Sequence, residues 1–445
     1  MKRQTIRFAA FVIVLVFIAA AGVWASGSKD GALKEIIIGQ FWDAYDKSPP
    51  KDELGERVHE WRTKIQKDHG ITIKEKMIAD WGNMLQTITT SVMAGKPAGQ
   101  AFRVTPDWAM ALHRQGLLSA LSDSKAVDFK TSTPIAYKQV RYQQEIGRTF
   151  TFGGKQYAIA PGYPDHSVAI YFNKRLFKEA GLVPDLPYDM QKAGTWTWDG
   201  FFDVCKKLTR DRNNTGRLDT WAMPEDTSSA ILESFVFSNG GSYIDKDASG
   251  KFVNASNRPE FIEAFNFCRR LRNEGVMMPR PEGANWDWYF SSFHDGQTAM
   301  MFDPEWRRQQ ISTTMADDWG YVLTPKGPKV NNYRFAEDDN VIVVPSTYKG
   351  EQLDLILNAV NLWFTPVSED WKAGLWSAYR DRRAVDETMS LILTGGLGAF
   401  RMHMMIPGLE PGDIAWQMWW FDGEPAQLVE SVSLSWGSLI ADANK

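Results

Sequence analysis

Short apolar runs and longer amphipathic stretches alternate along the chain, the pattern of strands and helices in turn. Glu35 to Phe41, with three consecutive isoleucines, predicts a strand buried on both faces. Val58, Trp61 and Ile65 recur at helical spacing through Glu56–His69, and Gly70 closes that helix. Ile71 to Ile78 alternates like a second strand. Asn83 to Ala94 gathers Met84, Leu85, Ile88 and Val92 on one helical side. Ala101 to Val104 predicts a third strand, and Met110 to Gln115 a short helix stopped by Gly116.

The pattern continues downstream. Ser167–Phe172 predicts a strand, with Asn173 capping a helix over Lys174–Ala180. Residues 182–196, with Pro184, Pro187 and Gly194, predict a loop, and Thr197 caps a helix through Leu208. Helices are predicted over Ser228–Phe237, Arg258–Asn273 and Leu353–Phe364, and strands over Ala299–Phe302, Gly320–Leu323 and Asn340–Val344. This order implies an α/β fold whose first lobe holds a largely parallel sheet.

In open sheets of that kind, ligands bind beyond the carboxyl ends of the strands. The first three predicted strands run into Trp42-Asp43, Asp80-Trp81 and Asp107-Trp108, each an aromatic face beside a carboxylate. That pairing suits a sugar: rings stack on its apolar faces, and carboxylates accept charge-assisted hydrogen bonds from its hydroxyls. The acidity of these positions predicts a neutral or cationic ligand. Further on, Phe302 leads into Asp303-Pro304-Glu305-Trp306, where Asp303 fits a helix N-cap and Glu305 and Trp306 are candidates to face a cleft. Gly162–His166 and Ala336–Asn340 are candidate crossover segments between two lobes.

Composition narrows the class. A length of 445 residues suggests two or three domains, or two large lobes. Lys+Arg of 50 against Asp+Glu of 54, with no basic run, argues against nucleic acid as a partner. The two cysteines, Cys205 and Cys268, fall on apolar helical stripes and read as core, with a disulfide between them left open. The histidines are scattered without metal-binding spacing, and no phosphate-loop or nucleophile-elbow motif occurs, so neither a metal nor a cofactor is expected. Lys2, Arg3 and Arg7, the apolar run Phe8–Ala21 and Val23-Trp24-Ala25 predict a signal peptide over residues 1–25 and a periplasmic location. An uncleaved membrane anchor is the alternative. Trp416, Trp419, Trp420 and Phe421 are expected to pack the second lobe rather than wall a cleft.

An ordered set of motifs carries a resemblance over nearly all of the mature chain. It comprises Thr87–Gly95, Pro106-Asp107, Gly116–Leu121, and Gly154–Ala160 running into Ala169–Leu182. Thr195–Asp199, Asn239-Gly240-Gly241, and Gly296–Met300 ahead of Trp306 complete it. The sequence resembles the extracellular solute-binding proteins of ABC sugar importers, the group that includes maltose-binding protein. The resemblance implies the two-lobe periplasmic-binding-protein fold with hinge crossovers, and a sugar clamped in the interlobe cleft with no bond broken. It also implies delivery to a membrane permease; a monomer is expected. It places the first lobe at about 34–160 plus 340–396 and the second at about 166–333 plus 400–445. The family's ligand-facing positions match Trp42, Asp43, Asp107, Tyr163 and Trp306, with Asp80, Trp81, Asp165, Glu305 and Asp338 as further candidates. Two departures stand out: Glu337-Asp338-Asp339 replaces a stretch that is Gly-rich in many relatives, and the lipid-attachment cysteine of many relatives is absent. The rival reading is a secreted glycoside hydrolase using a carboxylate pair such as Asp303/Glu305 or Asp338/Asp339.

Overall fold

The computed structural model describes residues 33–43, 53–128, 133–134, 143–162, 168–225, 230–337, 339–365, 371–376, 378–420 and 423–445. The chain forms two compact units, Met1–Tyr163 with Asn340–Glu369, and Pro164–Asp339 with Asp370–Lys445. The predicted signal segment lies outside the described residues.

In the first unit, β1 (Glu35–Gln40), α1 (Glu53–His69), β2 (Thr72–Met77), α2 (Met84–Met93), β3 (Ala101–Val104) and α3 (Pro106–Arg114) follow in order. β1 lies between β2 and β3 and runs parallel to both, while the strand Val341–Val343 returns antiparallel beside β3. Ile36, Ile38, Ile73 and Ile342 of the sheet pack with Ile65 of α1 and with Leu353, Ile356, Leu357 and Val360 of the helix Glu351–Trp363. The Trp61 indole N–H donates to the Leu362 carbonyl at 2.9 Å and ties α1 to that helix. Gly39 is required by close packing, since a Cβ there would stand 2.8 Å from Phe102 Cδ1 and 2.9 Å from Ile78 Cδ1. Parallel strands send their carboxyl ends to one edge, so the segments following β1, β2 and β3 gather there.

α3 begins at Pro106 rather than at Met110. Thr105 has extended backbone, and Pro106 occupies the start of the helix, where its fixed φ is suited and its missing N–H costs nothing. Asp107 and Trp108 therefore sit in a first helical turn.

In the second unit, β4 (Ala169–Asn173), buried at every position, is the centre of an antiparallel sheet between β5 (Met300–Asp303) and β6 (Trp319–Val322). Asn173 caps the helix Lys174–Glu179 as expected, its Oδ1 accepting the Leu176 N–H at 3.2 Å. Thr197 does the same for α4 (Trp198–Leu208), accepting from Gly200 at 3.3 Å. α5 (Ala230–Ser238), α6 (Pro259–Asn273) and α7 (Pro425–Ala443) contribute Phe235, Phe265 and Trp436 to one aromatic-rich core.

Two expectations change here. Within residues 182–196, Leu186–Ala193 is a helix with Pro187 in its first turn and Tyr188 and Gln191 buried. Tyr188 Oη accepts the Tyr321 N–H at 2.9 Å and Gln191 Oε1 accepts the Leu323 N–H at 2.8 Å, so this helix satisfies the edge of β6. Residues 371–396, expected in the first lobe, group with the second unit. Val385 and Met389 lie in its core, and the Thr388 hydroxyl donates to the Tyr321 carbonyl at 2.8 Å. Of the C-terminal aromatics, Trp419 is buried in this core while Trp416 and Trp420 are exposed; Phe421 lies outside the described residues. Cys205 and Cys268 are free and buried, and burial pushes both thiols up.

Candidate functional site

Four rings meet where β1, β2 and β3 end. Phe41 is the hub, with its centroid 4.6 Å from Trp42, 4.8 Å from Trp81 and 5.4 Å from Trp108, all edge-on. Trp81 and Trp108 lie 4.7 Å apart, tilted by 50°. Edge-to-face pairs are favoured by the ring quadrupoles, so each ring fixes the orientation of the next. Trp42 and Trp108 are half-buried, and Trp81 is 58% exposed. An indole supported from below and open above is a flat, rigid apolar surface. The buried Gln40 side chain braces the base, its amide donating to the Trp42 carbonyl at 3.3 Å.

Charged groups border the rings. Asp43 is exposed beyond β1, and Asp107 is half-buried in the first turn of α3. Asp80 shapes the entry to α2, where one of its oxygens accepts the backbone N–H and the side-chain amide of Asn83 at 3.0 and 2.8 Å. The Arg103 guanidinium lies 4.9 Å from the Trp42 ring and 5.5 Å from the Phe364 ring. Neither Phe41 nor Arg103 stands out in the sequence as a site residue. The available signal for Arg103 is one arginine within the apolar run Ala101-Phe102-Arg103-Val104.

The second unit holds its own exposed indole. Trp306 is 61% exposed, and the Arg307 guanidinium lies 4.5 Å from its ring. Asp303 is not the N-cap expected. It ends β5, 2% exposed, and accepts Arg307 Nε at 2.9 Å, while Pro304 leads into the short 3-10 turn Glu305–Arg307. Arg307 also donates to both oxygens of Asp287, at 2.8 and 3.3 Å, and to Gln310 at 2.8 Å. Glu305 accepts from Arg308 at 2.6 Å and from the Tyr379 hydroxyl at 3.1 Å. Burial opposes the charge on Arg308, but Glu305 together with Tyr379 and Tyr171 raises the guanidinium above its ordinary range. Burial, reinforced by Glu305, pushes the Tyr379 hydroxyl well up. Both carboxylates of the imagined hydrolytic pair are thus engaged by arginines, whereas glycoside hydrolysis needs one carboxyl protonated and the other free to act. Tyr163, Asp165 and Asp338 lie outside the described residues.

Residues 60–357 match the sequence model of the bacterial extracellular solute-binding proteins. A search of curated proteins gives no match. Among solved structures, UgpB from Mycobacterium tuberculosis, in complex with glycerophosphocholine, is similar with a TM-score of 0.66 at 16% identity, over 94% of this chain and 99% of that one. The cyclic α-maltosyl-1,6-maltose binding protein from Arthrobacter globiformis gives 0.66 at 14% identity, over 92% and 99%. The GacH receptor of Streptomyces glaucescens, solved unliganded and with acarbose, gives 0.63 at 12% identity, over 92% and 100%. At such identities the likeness establishes the fold, that of the two-lobe periplasmic binding proteins. The sequence model covers most of the chain and settles its kinship: the chain belongs to the bacterial extracellular solute-binding protein family.

Proposed function

We propose that this chain is the exported receptor of an ABC importer, that its ligand is a sugar or oligosaccharide, and that capture breaks no bond. The observation that carries this reading is the ring cluster closing the ends of three adjacent strands, with Trp81 open above it. A sugar ring offers apolar C–H faces and a belt of hydroxyls. Trp81 and Trp42 meet the faces, and Asp43 and Asp107 accept hydrogen bonds from the hydroxyls. Trp306, Glu305, Tyr163, Asp165 and Asp338 are further proposed ligand contacts, and Asp80 contributes its remaining oxygen. The GacH receptor with acarbose and the cyclic maltosyl-maltose binding protein support the ligand class. The basic-then-apolar N-terminus supports export to the periplasm, and delivery to a permease by a monomer follows the family pattern. A ligand bound more tightly by one conformation shifts the population toward it, which is the signal a permease would read.

Thermal-shift screening against mono- and oligosaccharides tests the proposal. A ligand at a hundred times its Kd adds about 2.7 kcal/mol of apparent stability. The accompanying change in Trp emission is expected to vanish in Trp81→Ala. A saccharide bound equally well by Trp42→Ala and Trp81→Ala would refute the assigned surface.

A further inference from the structure

We infer that the ligand taken by the first unit is an acidic sugar, with a carboxylate or a phosphate ester held by Arg103. The inference rests on the carbohydrate reading above and names the substrate class within it.

Arg103 sits between buried neighbours, Phe102 and Val104, on a strand at the interior of the sheet. Its guanidinium face is occupied by the Trp42 and Phe364 rings. Its Nε is buried and has no hydrogen-bond partner, and among the described residues no carboxylate pairs with it. Stacking uses the faces of the guanidinium and leaves its in-plane donors for something else. A half-buried cation with unused donors is costly unless a counter-charge arrives.

A second observation lies two positions on. Thr105 has extended backbone, so its side chain shares the face of Arg103. It is buried, and its hydroxyl has no hydrogen-bond partner although it occupies the N-cap of α3. A threonine there ordinarily accepts an N–H of the first turn. The N-terminus of this nine-residue helix therefore lacks a side-chain cap. Helix N-termini carry partial positive charge and offer N–H donors to anions. At the carboxyl end of β3, an arginine stacked on the ring cluster, a hydroxyl two residues on and an uncapped helix start thus follow one another. Arginine binds carboxylate and phosphate in paired, charge-assisted hydrogen bonds.

Asp43 and Asp107 border the same edge and disfavour a bare anion. Together the two signs select a molecule with hydroxyls for the carboxylates and one acidic group for Arg103.

The test is calorimetric titration of the protein with matched probes: glucose, glucuronate and glucose 6-phosphate; galactose, galacturonate and galactose 6-phosphate; maltose, digalacturonate; and inorganic phosphate. An acidic member is expected to bind at least tenfold tighter than its neutral counterpart and than inorganic phosphate. Arg103→Gln is expected to erase that ratio, and Arg103→Lys to retain part of it. Thr105→Val, a milder change, is expected to reduce the same ratio and serves if Arg103→Gln does not fold. The uronate and phosphate arms tell which acid is native. Neutral sugars binding as tightly as acidic ones, or a ratio unchanged in Arg103→Gln and Thr105→Val, overturns the inference while the carbohydrate reading stands. Binding of no sugar in any series overturns both.

Discussion

Trp81 follows β2 and Trp108 rides the first turn of α3, yet their rings lie 4.7 Å apart, tilted by 50°. The sheet makes this meeting: parallel neighbours deliver distant segments to one edge, and Phe41, the residue after β1, packs against both rings. Trp81 contributes little to the core because its outer face is open.

Removing Trp81 should therefore separate binding from folding. Trp81→Ala loses two ring contacts and is expected to cost about 1–3 kcal/mol while leaving the protein folded. Its saccharide affinity should fall at least about tenfold, or about 1.4 kcal/mol. Trp108→Ala, at a half-buried ring, should lose both affinity and stability. Urea unfolding and titration calorimetry on the two variants check this.

The Arg307 cluster yields a stability prediction for the second unit. The guanidinium is 3% exposed and is shared by Asp303 and Asp287. Arg307→Leu removes the arginine shared by both carboxylates, a change expected to cost about 3–5 kcal/mol. Arg307→Leu combined with Asp303→Leu should recover part of that loss in equilibrium unfolding. A single variant as stable as wild type would mean that solvent replaces the arginine.

Acid sensitivity follows from His403. Burial, reinforced by Arg401, holds this imidazole well below its ordinary value. Below about pH 6.5 the unfolded chain binds a proton that the folded chain refuses. The contribution is complete above that pH and falls by up to about 1.4 kcal/mol per unit as pH drops below it. His69 and His113, also lowered by burial, act in the same sense. His294, raised by its bond to Asp295, acts oppositely: its contribution is present in acid and lost as pH rises through its folded value. His403→Gln should flatten the decline in Tm between pH 7 and pH 5.

The strand and helix order was legible because it is written locally. β3 occupies the predicted residues, and Asn173 and Thr197 cap as expected, since apolar spacing and cap chemistry need only nearby residues. Leu186–Ala193 was not legible, because its prolines read as loop while its helix is stabilised by Tyr188 and Gln191 bonding to β6, a segment distant in sequence. The same holds for residues 371–396, whose place is decided by contacts with the second core. At the site, the three Trp-Asp pairs were visible as motifs. Which Asp serves a turn, and that Phe41 and Arg103 join the cluster, depends on strand neighbours that no local pattern names.

The most direct test of the ring cluster as the ligand surface is the Trp emission of wild-type protein and Trp81→Ala, titrated with the saccharide that most raises the wild-type Tm. A saturable change in wild type, absent from a Trp81→Ala protein that still unfolds cooperatively, is the predicted result. An undiminished affinity in Trp81→Ala, measured in parallel by calorimetry, would contradict it.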